Sequence, residues 1–117
     1  MPSATYDLFA EAMHEEKQIF CMYDGHPREL CAVVLGHTKG EEKALTFQVG
    51  GRSKQGPLPV GGEWRCLFLA KVQAARLRSG PLRVGAGHSR PQGCVEEVDL
   101  DINPNSPYHP KRRIRRS

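Results

Sequence analysis

This chain of 117 residues lacks the segments that direct a protein into or across a membrane. It has no run of about 18 apolar residues, the length that a membrane-spanning helix needs. Its N-terminal segment, MPSATYDLFAEAMHEEK, does not show a basic stretch followed by an apolar one, which is the pattern of a secretion signal. We therefore expect no membrane association and no export, and we predict a cytoplasmic protein.

Motifs that identify common catalytic or cofactor sites are also missing. The chain has no phosphate-binding loop, no GxSxG motif and no HExxH motif, and the glycines of GAGHS at 85–89 do not have dinucleotide-binding spacing. Catalysis by a Cys–His pair would need two side chains adjacent in the fold, and no local pattern indicates such a pair. Asp99 and Asp101 alternate onto one face of a predicted strand, where a solvated outer face explains them more simply than a metal or acid–base site. We therefore expect no enzyme, no metal and no cofactor.

The four cysteines have no metal-binding pattern. Cys21, Cys31, Cys66 and Cys94 are 10, 35 and 28 positions apart without a CxxC pair, which excludes zinc-finger spacing. Without an export signal, a disulfide framework is not favoured either. Because free cysteines are often buried, we predict four reduced, structural thiols.

The formal net charge of +4 is unevenly distributed along the chain. The last seven residues, KRRIRRS, contain five basic side chains, so residues 1–110 carry a net charge of −1. Within that body, residues 52–90 hold eight basic side chains and one acid, Glu63. This segregation is compatible with a solvated surface of mixed charge and, equally, with a basic face that binds anions.

Residue periodicity predicts one helix followed by short strands. Apolar residues recur at helical spacing over 5–16, which predicts an amphipathic helix with Ser3 or Thr5 as its N-cap. Short β-prone segments separated by turn residues follow. They predict strands at 19–23, 29–36, 44–49, 64–72 and 94–102. The glycine- and proline-rich segments 50–62 and 81–93 are predicted to be irregular, and 73–80 either continues the fourth strand around a bend or forms another one.

One helix and about five short strands predict a small, mainly β domain. Closing the sheet into an antiparallel barrel would remove the exposed edges of such strands, and an open α+β sheet is the alternative. The chain is long enough for one core and too short for two. We assign residues 1–103 to a single domain, and we predict that residues 104–117, rich in proline and basic residues, form a disordered basic tail.

A set of residues spread over 5–78 matches a known pattern. It consists of Ala12, Met13, Lys17, Ile19, Tyr23, Gly25, Arg28, Leu35, Gly36, the strand ALTFQV, and Trp64-Arg65 followed by Leu69, Lys71 and Val72. In these positions the chain resembles the WYL domain, an Sm-like barrel of the SH3 type preceded by a helix. The segment ALTF stands where that family has the Trp-Tyr-Leu triplet, and VDLDIN at 98–103 resembles the end of a divergent, standalone member.

The resemblance implies a non-catalytic binding or sensing module. Members of the WYL family commonly sense ligands or bind nucleic acids as parts of bacterial regulators and CRISPR-associated proteins. We expect this chain to bind an anionic ligand, a nucleotide or a single-stranded nucleic acid, through a basic pocket. The alternative is a protein–protein interaction module that uses the segment 50–62 as its contact surface, with a protein partner or a second copy of the chain.

Arg65 is the centre of the predicted site, because a guanidinium inside an apolar strand needs solvent, an acid or an anion. By analogy with the family, Arg28, Arg52 and Lys71 would lie near it in the basic pocket. A guanidinium suits phosphate because its planar fork donates two parallel hydrogen bonds. The structural alternative is an ion pair between Arg65 and one of three acids, Glu63, Glu96 or Asp99.

Aromatic rings and backbone N–H groups complete the predicted site. Tyr23, Phe47 and Trp64 would offer faces on which a base could stack, and core packing is the alternative for Phe47 and Trp64. Backbone N–H groups at Gly50-Gly51, next to Ser53, could approach the anion closely, although a plain turn also accounts for the two glycines. The basic tail would add attraction to nucleic acid that does not depend on sequence.

Overall fold

The architecture is mainly β, with one helix in front of a set of antiparallel strands. The structure, a computed structural model, describes residues 3–53, 56–57, 63–80 and 94–102. Its elements are α1 (Ala4–Glu15), β1 (Gln18–Tyr23), β2 (His26–Thr38), β3 (Glu41–Ser53), β4 (Gly56–Pro57), β5 (Glu63–Phe68), the 3-10 helix η1 (Leu69–Lys71), β6 (Gln73–Arg78) and β7 (Glu97–Asp101). The predictions made for residues 81–93 and for the tail at 104–117 lie outside the described residues.

Helix α1 begins where the sequence places a capping residue. The Ser3 hydroxyl accepts a hydrogen bond from the Tyr6 N–H at 3.1 Å, which satisfies one of the free donors at the helix start. The helix is followed by Glu16 in the left-handed conformation (φ 56°), which is common at helix ends. Phe9 and Met13 are buried on its inner face. The predicted helix is confirmed, with Ser3 as its N-cap. No helix in the described part of the chain has the length and apolar character needed to cross a membrane.

Strands β1, β2 and β3 form an antiparallel meander, as predicted. β5 pairs with the other edge of β3, and the chain then passes through η1 into β6, which returns to pair with β1. β4 pairs with the end of β3, and β7 pairs with the part of β2 beyond β1. No ladder between described residues joins β5 to β6, so the sheet is open. The prediction of a mainly β fold is confirmed, whereas the strand pairing does not show the closed barrel that we expected.

Several strand boundaries differ from the predicted ones. β2 and β3 extend to a two-residue turn at Lys39-Gly40, because both residues adopt positive φ and allow a tight hairpin. The prediction of an irregular segment at 50–62 is wrong in its described parts, since β3 continues through Ser53 and β4 pairs with it. The predicted strand at 64–72 ends earlier, where η1 begins, and β6 forms a separate strand within 73–80.

Both faces of β2 are buried, so the sheet has two apolar cores. The first core lies between the sheet and α1 and includes Phe9, Met13, Ile19, Leu30, Leu35 and Leu67. The second core lies on the opposite face, beneath the segment that contains β7, and includes Cys31, Val33, Val34, Phe47, Val95 and Val98. A bulge at Val33 shifts the alternation of β2 by one residue, so that Ala32 and Leu35 both face the first core.

Two of the four cysteines form a disulfide, so the prediction of four reduced thiols is wrong. Cys66 lies on β5 and Cys94 lies shortly before β7, and their Cα atoms are 5.7 Å apart, within the range that a disulfide can bridge. A sequence separation of 28 residues gives no sign of the chain path that brings these two positions together. Cys21 and Cys31 are free and buried, as predicted.

Replacing Gly36 by alanine should destabilise the fold, because Val95 and the backbone of Glu97 lie very close to this residue. A Cβ at position 36 would overlap the Glu97 carbonyl oxygen and lie 2.7 Å from Val95 Cγ1. We expect a loss of about 1 to 3 kcal/mol or more in the free energy of unfolding, measured by urea denaturation. In the control, Gly40→Ala, the new Cβ meets nothing within 4 Å and only the positive φ disfavours alanine, so the loss should stay near about 1 kcal/mol. Equal losses in the two variants would contradict the close approach at Gly36.

Removing the disulfide should destabilise the protein as well. The bond joins residues 28 positions apart, and releasing that constraint in the unfolded chain corresponds to about 3 to 4 kcal/mol. We expect the double variant Cys66→Ser/Cys94→Ser to lose this amount in urea denaturation. Thiol titration of the unfolded, unreduced wild-type protein should detect only Cys21 and Cys31. Detection of all four thiols would show that the disulfide does not form.

Candidate functional site

Arg28 is a charged residue at a position of β2 where the alternation predicts an apolar side chain. Because side chains alternate along a strand, Arg28 lies on the same face of β2 as Leu30, toward the first core. Only 4% of its surface is exposed. Arginine is almost never buried to this degree without a partner. The groups around its guanidinium therefore determine how its buried charge is compensated at this end of the first core.

Gln48 connects Arg28 to Arg65. The Gln48 Oε1 atom accepts a hydrogen bond from Arg65 Nε at 3.2 Å and a longer one from Arg28 Nη1 at 3.4 Å. In the β2–β3 ladder Gln48 lies opposite Leu30, which shares a face of β2 with Arg28. In the β3–β5 ladder Arg65 lies opposite Thr46, which shares a face of β3 with Gln48. Arg28, Gln48 and Arg65 therefore lie on one face of the sheet. We call Arg28, Gln48 and Arg65 the paired-arginine site. Two of the predicted ligand-binding residues thus meet at one neutral amide.

Tyr23 contacts Arg28 of the paired-arginine site through its ring and its carbonyl oxygen. The Arg28 Cζ atom lies 5.2 Å from the centroid of the Tyr23 ring, within the range of a cation–π contact. The Tyr23 carbonyl oxygen accepts a hydrogen bond from Arg28 Nη2 at 3.4 Å, and the Tyr23 hydroxyl accepts one from the Phe68 N–H at 3.1 Å. The tyrosine is only 7% exposed. The structure therefore places Tyr23 as a support for Arg28 and not as an open surface for stacking.

Arg28 has no carboxylate hydrogen-bond partner among the described residues. Its Nε atom is buried and donates to no acceptor in the part of the chain that the structure describes. Burial and, to a lesser extent, the positive charge of Arg65 lower the pKa of Arg28, while the charge of Asp24, exposed in the β1–β2 turn, acts in the opposite direction. An anion within reach of the guanidinium would offset the cost of burying it.

Trp64 lies on the other face of β5. Its ring packs edge-to-face on Phe47, with the ring centroids 5.2 Å apart, in the second core. Consecutive residues of a strand point to opposite faces, so Trp64 and Arg65 do not line one pocket. For Trp64 and Phe47, the core-packing alternative is the one that the structure shows.

Lys71 belongs to a different cluster of side chains. Its ammonium lies over the Phe68 ring, 5.7 Å from the ring centroid, and the Lys43 ammonium lies over the same ring at 4.4 Å. By strand alternation, Phe68 points to the face opposite Arg65. The predicted grouping of Lys71 with Arg65 is therefore not what these contacts show.

Two further predicted residues, Arg52 and Ser53, have their backbone in β3, where it pairs with β4, and their side chains lie outside the described part of the structure. Gly50 and Gly51 precede them as strand residues, and the β2–β3 ladder pairs Gly51 with Arg28. The alternative of a plain turn at these glycines is therefore wrong. The register brings the end of β3 alongside Arg28.

Asp99 joins the helix to two strands. Its carboxylate accepts a hydrogen bond from the Tyr6 hydroxyl and lies 3.1 Å from His37 Nδ1, and the Tyr6 and His37 rings stack with their centroids 5.7 Å apart. Burial first, and the hydrogen bond to Asp99 second, raise the pKa of Tyr6, so its hydroxyl remains a donor. Asp99 is thus occupied by partners other than Arg65. The expected solvated outer face for Asp99 and Asp101 is wrong, because these contacts hold Asp99 and because Asp101 is fully buried.

The free thiol nearest the paired-arginine site is that of Cys21, which pairs with Arg28 in the β1–β2 ladder. Burial raises the pKa of Cys21 to about 11, and the charge of Arg28 acts in the opposite direction. The thiol is therefore protonated at neutral pH, the opposite of an activated nucleophile. Within the described ranges, no three His, Cys, Asp or Glu side chains are grouped so that they could hold a metal ion.

Sequence reasoning missed Gln48, the residue that links the two arginines. One signal for it was present in ALTFQV, whose alternation groups Gln48 with Ala44 and Thr46. All three side chains are fully buried. A polar residue at a buried position must satisfy its hydrogen-bonding groups, but the sequence did not show that both faces of β3 are covered.

No protein-family model matches this sequence, and comparison with curated proteins and with solved structures gave no match. The resemblance to the WYL domain therefore stays a prediction. The paired-arginine site and the order of the strands are the observations from which a function can be argued.

Replacing Gln48 by glutamate should stabilise the protein, because the new carboxylate would lie between two guanidiniums. We expect a gain on the order of 1 kcal/mol at neutral pH and low salt, after the cost of burying the charge and of losing the donor to the Gly50 carbonyl oxygen. The two guanidiniums should lower the pKa of the introduced carboxyl in the folded state. The gain should therefore be fully present above about pH 4.3 and be lost as the pH falls through the lowered value.

The matched control is Gln48→Met, which keeps the length of the side chain and removes the shared acceptor. It should lose about 1 to 3 kcal/mol of unfolding free energy, because two donors of buried or half-buried guanidiniums lose their partner. Urea denaturation at low and high salt measures both variants. If the glutamate variant is as unstable as the methionine variant, a negative charge between the two guanidiniums does not stabilise the fold.

Proposed function

We propose that this chain is a non-catalytic module that binds an anionic ligand, a nucleotide or a single-stranded nucleic acid, at the paired-arginine site. The observation that carries the proposal is the state of Arg28. Its guanidinium is 4% exposed, has no carboxylate partner among the described residues and keeps one buried N–H without an acceptor there. A buried charge of this kind is costly unless it is compensated. A bound anion supplies the compensation.

Phosphate is the anion that fits two guanidiniums best. The planar fork of arginine donates parallel, charge-assisted hydrogen bonds to phosphate oxygens. Arg65 is partly exposed, whereas Arg28 is buried, so the pair leads from solvent into the end of the first core. The Gln48 amide holds both arginines in place through one oxygen. These features support binding of a phosphate-containing ligand.

The strand order supports the proposal that the module is a WYL-like domain with an SH3/Sm-type barrel. The two strands at the ends of the meander path, β5 and β6, are joined only by η1 and one further residue, so the chain itself keeps the two edges near each other. Closing such a sheet removes its exposed edges. The helix in front of β1 is also part of the WYL arrangement.

A cytoplasmic location remains part of the proposal. The Cys66–Cys94 disulfide weighs against it, because disulfides persist mainly in oxidising compartments. The hydrogen bonds of Arg28 and Arg65 to Gln48 join these three side chains directly, so the binding proposal does not depend on the location.

The test is binding of a mixed-sequence, single-stranded oligonucleotide that carries a 5′-phosphate and a 3′ label. The protein is the full-length chain with the five basic residues of KRRIRRS replaced by serine, so that the tail adds no charge. We expect binding to persist, to weaken steeply as salt rises, and to fall about tenfold or more with Arg65→Gln. Fluorescence anisotropy at two salt concentrations measures each affinity.

Arg76→Gln is the charge-matched control. Arg76 is exposed on β6 and lies over the Phe20 ring, with its Cζ atom 4.7 Å from the ring centroid. Removing this charge should change the affinity by no more than about twofold. Loss of all binding with the neutral tail, or an equal effect of the two arginine variants, would refute the paired-arginine site. The protein-interaction alternative predicts a defined oligomer or partner complex that ignores phosphate ligands.

A further inference from the structure

We infer that the paired-arginine site selects a terminal phosphate, a monoester, over the phosphodiester of a nucleic-acid backbone. The inference rests on the proposed function and names its ligand class: a mononucleotide or the phosphorylated end of a strand. Three features of the site lead to it, namely the convergence of two charges, the burial of Arg28 and the position of the aromatic rings.

The site directs two positive charges to one point. Arg28 Nη1 and Arg65 Nε both donate to Gln48 Oε1, at 3.4 and 3.2 Å, so one ligand group can reach both guanidiniums. A phosphate monoester carries about −1.5 to −2 charges near pH 7, whereas a diester carries a single negative charge. The charge of a monoester therefore matches that of two guanidiniums, whereas the charge of a diester matches that of one.

The burial of Arg28 limits the shape of the group that can contact it. Arg28 is 4% exposed and Gln48 is fully buried, whereas Arg65 is partly exposed. A ligand that contacts both arginines must therefore insert past Arg65. A terminal phosphate can point its unsubstituted oxygens inward, where the buried Nε of Arg28 still has an N–H to donate. A diester is substituted on two sides and cannot enter in this way.

No aromatic ring among the described residues is placed to read a base at this site. Tyr23 is 7% exposed and lies against Arg28, and Trp64 packs on Phe47 on the opposite face. Proteins that hold the bases of single strands use exposed rings for stacking. The paired-arginine site should therefore recognise the phosphate and tolerate any base.

The test compares strands of equal charge on the full-length wild-type chain. At about pH 8, a thymidine decamer with a 5′-phosphate carries the same charge as a thymidine dodecamer with a 5′-hydroxyl, so the basic tail attracts both equally. We expect the phosphorylated decamer to bind about tenfold tighter or more in an anisotropy competition assay. Inorganic phosphate should compete with it. An adenosine decamer with a 5′-phosphate should differ from the thymidine one by less than about threefold.

Two variants locate the preference. Gln48→Glu keeps the shape of the side chain, places a carboxylate between the guanidiniums and should abolish the preference for the phosphorylated strand while the protein stays folded. Arg28→Met removes the buried charge and should also abolish it. Arg76→Met removes an exposed arginine elsewhere on the sheet and should leave the preference intact. Thermal unfolding of each variant shows whether the fold is retained, and Gln48→Glu decides the question if Arg28→Met does not fold.

The outcomes separate this inference from the proposed function. Equal affinities for the two charge-matched strands, with the dependence on Arg65 retained, would overturn the terminal-phosphate inference and leave the proposed function standing. A preference that survives Gln48→Glu would overturn the inference as well, because the phosphate would then bind elsewhere. Failure of the wild-type chain to bind either strand would overturn both.

Discussion

The structure depends on the burial of β2 on both faces. Residues 30–36 of this strand are all buried, so β2 needs a strand on each edge and a cover on each side. β3 pairs along one edge, and β1 and β7 share the other. α1 covers the first core and the segment before and within β7 covers the second. Because unpaired backbone groups in such a strand would be costly, these requirements determine where β1, β3, β7 and α1 lie.

The same constraint explains why an arginine is buried. Because side chains alternate along β2, Arg28 lies on the same face as Leu30, a residue of the first core. The ladder with β3 places the buried Gln48 on that face as well. Arg65 arrives there because β5 pairs with the other edge of β3. A set of polar groups at the end of an apolar face is costly when it is only partly satisfied. The proposed anion would offset that cost.

Two sets of cross-links hold the cover of the second core against the rest of the molecule. The Cys66–Cys94 disulfide ties the start of that cover to β5, the strand that also carries Arg65. The carboxylate of Asp99 ties β7 to α1 and β2 through its contacts with Tyr6 and His37. The strands that present the two arginines are thus braced by contacts outside the paired-arginine site. Such bracing favours a preorganised site, which lowers the cost of binding.

Local chemistry in the sequence was enough to predict α1, the meander of β1 to β3, the mainly β character and the need of the Arg65 charge for a partner or solvent. Each of these follows from neighbours along the chain: a capping serine, apolar periodicity, turn residues and a charge within an apolar run. The disulfide, the two-sided burial of β3 and the role of Gln48 were not predictable in this way. The disulfide and the role of Gln48 arise from contacts between residues 17 to 28 positions apart, and the cover of β3 comes from residues still farther along the chain, so all three depend on how the sheet folds back on itself.

The outcome for the aromatic residues has the same cause. Periodicity alone does not show which side of a strand faces a core when both sides are covered. The sequence was therefore compatible with Tyr23 and Trp64 lying in one pocket with Arg65. The tertiary structure placed Tyr23 beneath Arg28 and Trp64 on the opposite face with Phe47. The sequence by itself thus determined which elements form and which charges need partners. Only the tertiary structure decided which side chains meet, because burial on two faces is a property of the packed sheet and not of any one strand.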